Sequence, residues 1–192
     1  MKFLGRTAVV CVAWLLGVAG AQAPKPESIA PLVKQQFGSS FTVSTKMPQS
    51  FVLGDFDSDG VEDVAIVVDS TDPMLDAYEF KYTVADPYNS FFGYGNPNVT
   101  ASFNKHDKEH SHILLVIFGA GTDAWRAATP KAKFALINVP FDTVATSRLM
   151  VKKNKPPITV IRTIEAEILD SSVYWDVKKK RWKWTPGDTK DW

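Results

Sequence analysis

The sequence predicts an α+β fold, a mainly antiparallel sheet with one N-terminal helix. Three observations predict it. Short apolar, β-branched segments recur at 64–68, 112–118, 133–139 and 158–161, and they have strand length rather than helix length. Helical spacing of apolar residues is evident near the start, in Ile29, Leu32, Val33 and Phe37. Prolines at 140, 156 and 157 then cut the second half into strand-sized pieces.

Taken in order, Pro24 to Pro31 reads as a tether and 28–37 as the helix, with Ser28 as N-cap and Gly38 as stop. Residues 41–44 and 50–53 look extended. In 62–69, Val64, Ile66 and Val68 share one strand face and Ala65 and Val67 the other; both faces are apolar, which argues for a central strand. The stretch 70–111 is the least regular, although the alternation of Tyr78, Phe80 and Tyr82 suggests a strand within it, and Phe91, Phe92 and Tyr94 are expected to cover the core edge. Its Asn98-Val99-Thr100 sequon carries no weight in a chain that looks bacterial. Further strands are expected at 112–118, 133–139, 147–151, 158–161 and 165–169, with a brief helix at 123–128. A terminal hairpin pairs 172–175 with 181–184.

The first residues read as a secretory signal. Lys2 and Arg6 precede an apolar run over 8–18, followed by small residues at Gly20, Ala21 and Ala23. The run is too short to span a bilayer, and cleavage after Ala21 avoids placing Pro24 beside the scissile bond. The sole cysteine, Cys11, lies inside the run, so neither a disulfide nor a lipid anchor is indicated. Residues 22–192 then form one domain in the periplasm or outside the cell. Without Lys2 and Arg6, the 22 basic residues of the full chain become 20, against 21 acidic ones. The mature net charge of about −1 selects neither nucleic acid nor a membrane surface as partner.

The segment 54–63, Gly-Asp-Phe-Asp-Ser-Asp-Gly-Val-Glu-Asp, has the chemistry of a calcium loop. Asp55, Asp57 and Asp59 alternate, so three carboxylates turn into one concavity; Gly60 supplies a positive-φ kink, and Asp63 adds a fourth carboxylate. Hard cations take several such oxygens. Four carboxylates within nine residues would repel one another without a cation, although a metal-free turn between two strands is the alternative. The loop is not an EF-hand, because its twelfth position is Ile66 instead of Glu and the chain leaves it as a strand.

With Phe56 inside the loop, the strand exit at 64–68, and a second strand at 112–118 ending in Gly119-Ala120-Gly121, the segment resembles the FG-GAP/VCBS calcium-loop repeats of integrin-type propellers and exported bacterial proteins. The likeness covers mainly residues 51–69 and loosely 112–121. It implies Ca2+ held by Asp55, Asp57, Asp59, the carbonyl of Val61, and Asp63. A propeller itself is excluded, since only one copy is present.

Two other constellations bear on chemistry. His106-Asp107-Lys108-Glu109-His110 fits the H-x-x-E-H pattern of inverted zinc peptidases, with Glu165 or Glu167 as a nominal third ligand. The pattern needs a buried amphipathic helix, whereas 104–111 is wholly polar, so an exposed loop is the better reading. The interleaved charges and aromatics of 178–184 could suit an envelope glycan, yet Trp182 and Trp184 fall on one strand face and Arg181 and Lys183 on the other, which is ordinary amphipathic alternation. The sequence therefore points to a non-catalytic calcium-binding extracytoplasmic domain that contacts a protein or an envelope glycan. A metal-dependent hydrolase using His106, Glu109 and His110 is the alternative.

Overall fold

The computed structural model describes residues 29–96, 98, 112–166 and 169–187. The expected leader, the His106-Glu109-His110 cluster and Glu167 lie outside them. The described chain is mixed α+β and mostly strand: two sheets and three short helices.

The first sheet is built on two strands that are apolar on both faces. β3 (Asp63–Asp69) and β5 (His112–Phe118) pair antiparallel, with Val64 opposite Ile117 and Asp69 opposite His112. β1 (Thr42–Val43) and β2 (Phe51–Gly54) lie in tandem on the other side of β3. Between them the chain leaves β3 at Ser44, whose N–H donates to the Val67 carbonyl, and returns at Ser50, whose carbonyl accepts from the Val67 N–H. Beyond β5 come β6 (Ala132–Leu136), antiparallel to β5, and β4 (Thr83–Ala85), parallel to β6.

The second sheet is an antiparallel meander, β7 (Thr143–Leu149), β8 (Ile158–Glu165), β9 (Leu169–Asp176) and β10 (Arg181–Pro186). It covers one face of the first sheet. Ala65 and Val67 of β3 and Leu114, Val116 and Phe118 of β5 pack there against Val144, Ile161, Val173, Trp182 and Trp184. The opposite face, with Val64, Ile66, Val68, Ile113, Leu115 and Ile117, is closed by α1 (Ile29–Phe37) through Ile29, Val33 and Phe37. Helix, sheet and sheet thus form three layers, which is why the central strands carry no polar face.

Three local expectations fail. Tyr78, Phe80 and Tyr82 do not share a strand: α2 (Ala77–Phe80) is helical, Lys81 turns the chain at φ 54°, and β4 begins only at Thr83. Their burial explains it. Tyr78 stands in solvent while Tyr82 is buried and donates its hydroxyl to the Pro73 carbonyl at 3.0 Å. The brief helix at 123–128 is a 3-10 turn, Gly121–Asp123, ended by Ala124 at φ 54°. The separate strand expected at 165–169 is not found: Glu165 ends β8 and pairs with Leu169, which begins β9, and Ala166 adopts φ 50°. Phe91 and Phe92, at the end of α3 (Pro87–Phe91) and just past it, stack edgewise and tilted against Trp184 but remain half exposed.

The terminal hairpin keeps its tryptophans inside. Trp184 is buried among Tyr88, Phe91 and Phe92, and its indole N–H donates to the Ser171 hydroxyl at 3.0 Å. The lysines occupy the turn, where the Lys179 N–H donates to the Asp176 carbonyl and Lys183 pairs with Asp176 at 2.9 Å. Trp184→Ala should therefore destabilise the protein by about 3–5 kcal/mol in chemical denaturation, while Lys179→Ala changes it by less than about 0.5 kcal/mol. A Trp184→Ala protein as stable as wild type, but deficient in glycan binding, would assign the hairpin to recognition instead.

Candidate metal centre

The acidic segment is the connection of the β2–β3 hairpin. Gly54 pairs with Asp63, so residues 55–62 form the loop between two strands of the central sheet. Phe56 anchors it, because its ring is buried in the core between the sheets. Gly54 makes room for that ring: a Cβ there would meet Thr159 Cγ2 at 2.8 Å and the Phe56 ring at 3.0 Å. Ser58 and Gly60 take φ 62° and 87°, the two left-handed steps that let the loop fold on itself.

Carboxylates hold the loop from within. Asp55 accepts from the N–H groups of Asp59 and Gly60, both at 3.0 Å. Asp57 Oδ1 accepts from Asp59 N–H at 3.2 Å, and Asp59 Oδ1 from Val61 N–H at 2.8 Å. The bonds of Asp57 and Asp59 are Asx turns, in which a short acidic side chain accepts from the N–H two residues on, and Asp55 closes the wider loop around them. Asp63, at the start of β3, reaches back: its Oδ2 accepts from Phe56 N–H at 2.7 Å and Asp57 N–H at 3.3 Å, and its Oδ1 from Gly119 N–H at 2.8 Å. Gly119 must be a glycine for this, since a Cβ would lie 2.4 Å from the Glu62 carbonyl oxygen.

The structure brings Asp55, Asp57 and Asp63 together, with one carboxylate oxygen of each within 4.8 Å of the others. Asp57 and Asp63 are buried and Asp55 half-buried. Asp59 belongs to a second grouping. Lys131, just before β6, places its ammonium 2.6 Å from Asp57 Oδ2 and 2.6 Å from Asp59 Oδ2. Val61 enters the loop's bonding through its N–H. Glu62 turns away and accepts from the Trp125 indole at 3.1 Å, fastening the loop to the segment after β5.

The electrostatics arise from these contacts. Burial pushes the Asp63 carboxyl up to about 7, against the opposing pull of the Gly119 and Phe56 N–H donors; the neighbouring Asp57 charge raises it further. The Lys131 contact holds Asp59 below the ordinary carboxylate range, and Asp57 and Asp59 in turn raise Lys131.

Two further side chains of metal-ligating type lie outside this group. His112 places Nδ1 2.9 Å from Asp69 Oδ1 at the far end of β3. Asp170 is gripped by the Arg162 guanidinium at 2.6 to 3.1 Å, so it is committed to an ion pair that holds its carboxyl low. The residue that sequence reasoning missed is Lys131, whose only signal was indirect, a surplus of negative charge in the loop that required some cation. Gly119 was read as the end of the second strand but not as a donor to Asp63. Comparison of the chain with protein-family models, with curated proteins and with solved structures gives no match.

A carboxyl raised above its unfolded value makes the folded state hold its proton longer, so its contribution to stability is full below the unfolded value near 3.8 and is lost as pH rises through about 7. In chelator, wild-type stability should thus decline relative to Asp63→Asn between about pH 4 and pH 7. Parallel denaturation curves at each pH measure the difference, and equal slopes for the two proteins would contradict it.

Proposed function

We propose that this protein is a non-catalytic, calcium-binding extracytoplasmic domain, periplasmic or secreted, that serves as an interaction module for a protein or an envelope glycan. The observation that carries this reading is the convergence of the Asp55, Asp57 and Asp63 carboxylates in the β2–β3 loop. The donor set fits the ion: it is all oxygen, with no thiol or imidazole in the group, as a hard divalent cation requires. The fit also draws on the loop's kinship in pattern to the FG-GAP/VCBS repeats, in which Asp59 and the Val61 carbonyl would complete the shell. Bound calcium would supply positive charge and fix the loop's shape; it would do no chemistry on a substrate.

Each residue then has a task. Asp55 and Asp57 hold the cation while their backbone-facing lone pairs keep the turns closed. Asp63 ties the cation site to the first residue after β5. Phe56 keeps the loop seated on the core, so the site is a rigid feature of the sheet edge. Among the described residues no helix is long and apolar enough to cross a membrane. The hydrolase alternative falls on His106, Glu109 and His110, outside the described residues, and no observation favours it.

Scanning calorimetry of the mature chain tests the reading. For a site of extracellular affinity, about 10⁻⁴ to 10⁻³ M, a few millimolar calcium should stabilise the fold by about 1–2 kcal/mol, seen as a rise of a few degrees in Tm. Magnesium should give less, because it demands tighter octahedral geometry and dehydrates reluctantly. Asp55→Asn should remove most of the calcium increment. A wild-type melt indifferent to calcium would overturn the proposal, as would a full response in Asp55→Asn.

A further inference from the structure

A cation is already seated at this loop. Lys131 is fixed at the base of the site by its own backbone, whose N–H donates to the Phe118 carbonyl at 3.0 Å at the end of β5. From there its ammonium bridges Asp57 Oδ2 and Asp59 Oδ2, each at 2.6 Å. The two partners differ in what they need. The Asp57 side chain is only 3% exposed, and a buried carboxylate without a cation is strongly disfavoured. The Lys131 side chain is 48% exposed, so its head can return to water along a flexible stem.

Asp57 also belongs to the Asp55, Asp57 and Asp63 group. One carboxylate is thus shared between the ammonium and the candidate ion site, and the two positive charges compete for it. We propose that Lys131 is the loop's resident counter-cation: it neutralises Asp57 and Asp59 while no metal is held, and it must release both carboxylates for calcium to be bound. This inference rests on the calcium reading of the loop. It gives that site its regulation. The loop stays folded when calcium is scarce, at the expense of affinity, and calcium binding frees one ammonium group onto the surface.

Two measurements on the mature chain test it. In the first, the wild-type protein is acetylated briefly with a water-soluble amine reagent, with and without saturating calcium, and modification is read by mass spectrometry. Lys131 should be labelled several-fold more in calcium, while the exposed turn residue Lys179 is unchanged. In the second, titration calorimetry with calcium chloride compares wild type with Lys131→Met, which keeps the stem and removes the charge. The variant should bind calcium about tenfold more tightly, an ordinary size for coupled sites, and its chelated form should melt lower than wild type. Equal calcium affinities, or labelling that ignores calcium while calcium binds, would overturn the role of Lys131 and leave the calcium reading standing. Calcium heat in neither protein would overturn the calcium reading and the competition with it. The labelling uses unaltered protein, so it decides the question even if Lys131→Met fails to fold.

Discussion

The loop and the sheet around it depend on one buried carboxylate. Asp63 begins the central strand, is almost wholly removed from water, and accepts three backbone N–H groups from two places far apart in the chain. Bonds of N–H to an ionised carboxylate are worth about 1.5–3 kcal/mol each, yet burial alone would drive such a group to protonate. Burial outweighs the donors here, so the carboxyl is pushed up to about 7. Through Asp63 the loop's opening residues and the exit of β5 share a single anchor, and Gly119 can approach because nothing projects from its Cα.

That anchor gains its meaning from the layers beneath it. β3 and β5 are buried on both faces, between α1 and the four-stranded meander. The loop is pinned at Gly54, Phe56 and Asp63 to this platform, with Asp57 buried beside Asp63, Asp55 half-buried and Asp59 exposed. A hairpin connection so fixed presents its carboxylates at nearly constant separation, the arrangement in which a cation is held with little reorganisation. The charge must be balanced by something, and the protein contains one answer in Lys131. We read the corner as a site with two alternative cations, one built in and one from outside.

Much of this was legible in the sequence where a pattern is local. The apolar alternation of 64–68 and 112–118 identified the central strands, because burial on two faces leaves no polar positions to confuse the period. The Trp182 and Trp184 alternation likewise gave the inward face of β10. Alternation misled at Tyr78, Phe80 and Tyr82, where a one-turn helix and a left-handed Lys81 intervene and Tyr82 packs its ring on Phe37 and Phe41, far earlier in the chain and outside any local window. The acidic loop is evident from its spacing, but its partition into Asp55, Asp57 and Asp63 on one side and Asp57 with Asp59 on the other depends on Lys131, which is 72 residues from Asp59 in the chain. Glu62 shows the same limit, since its partner Trp125 is 63 residues away. The division of the strands into two sheets also escaped local reading, because short antiparallel strands look alike in either.

The central claim is that the β2–β3 loop holds calcium, and a crystal structure of the mature chain grown in calcium tests it most directly, using the anomalous signal to identify the ion. The account predicts one anomalous peak among the carboxylates of Asp55, Asp57 and Asp63, with the Lys131 ammonium withdrawn from Asp57. A map at saturating calcium with no peak at the loop, and Lys131 still bridging Asp57 and Asp59, would contradict it.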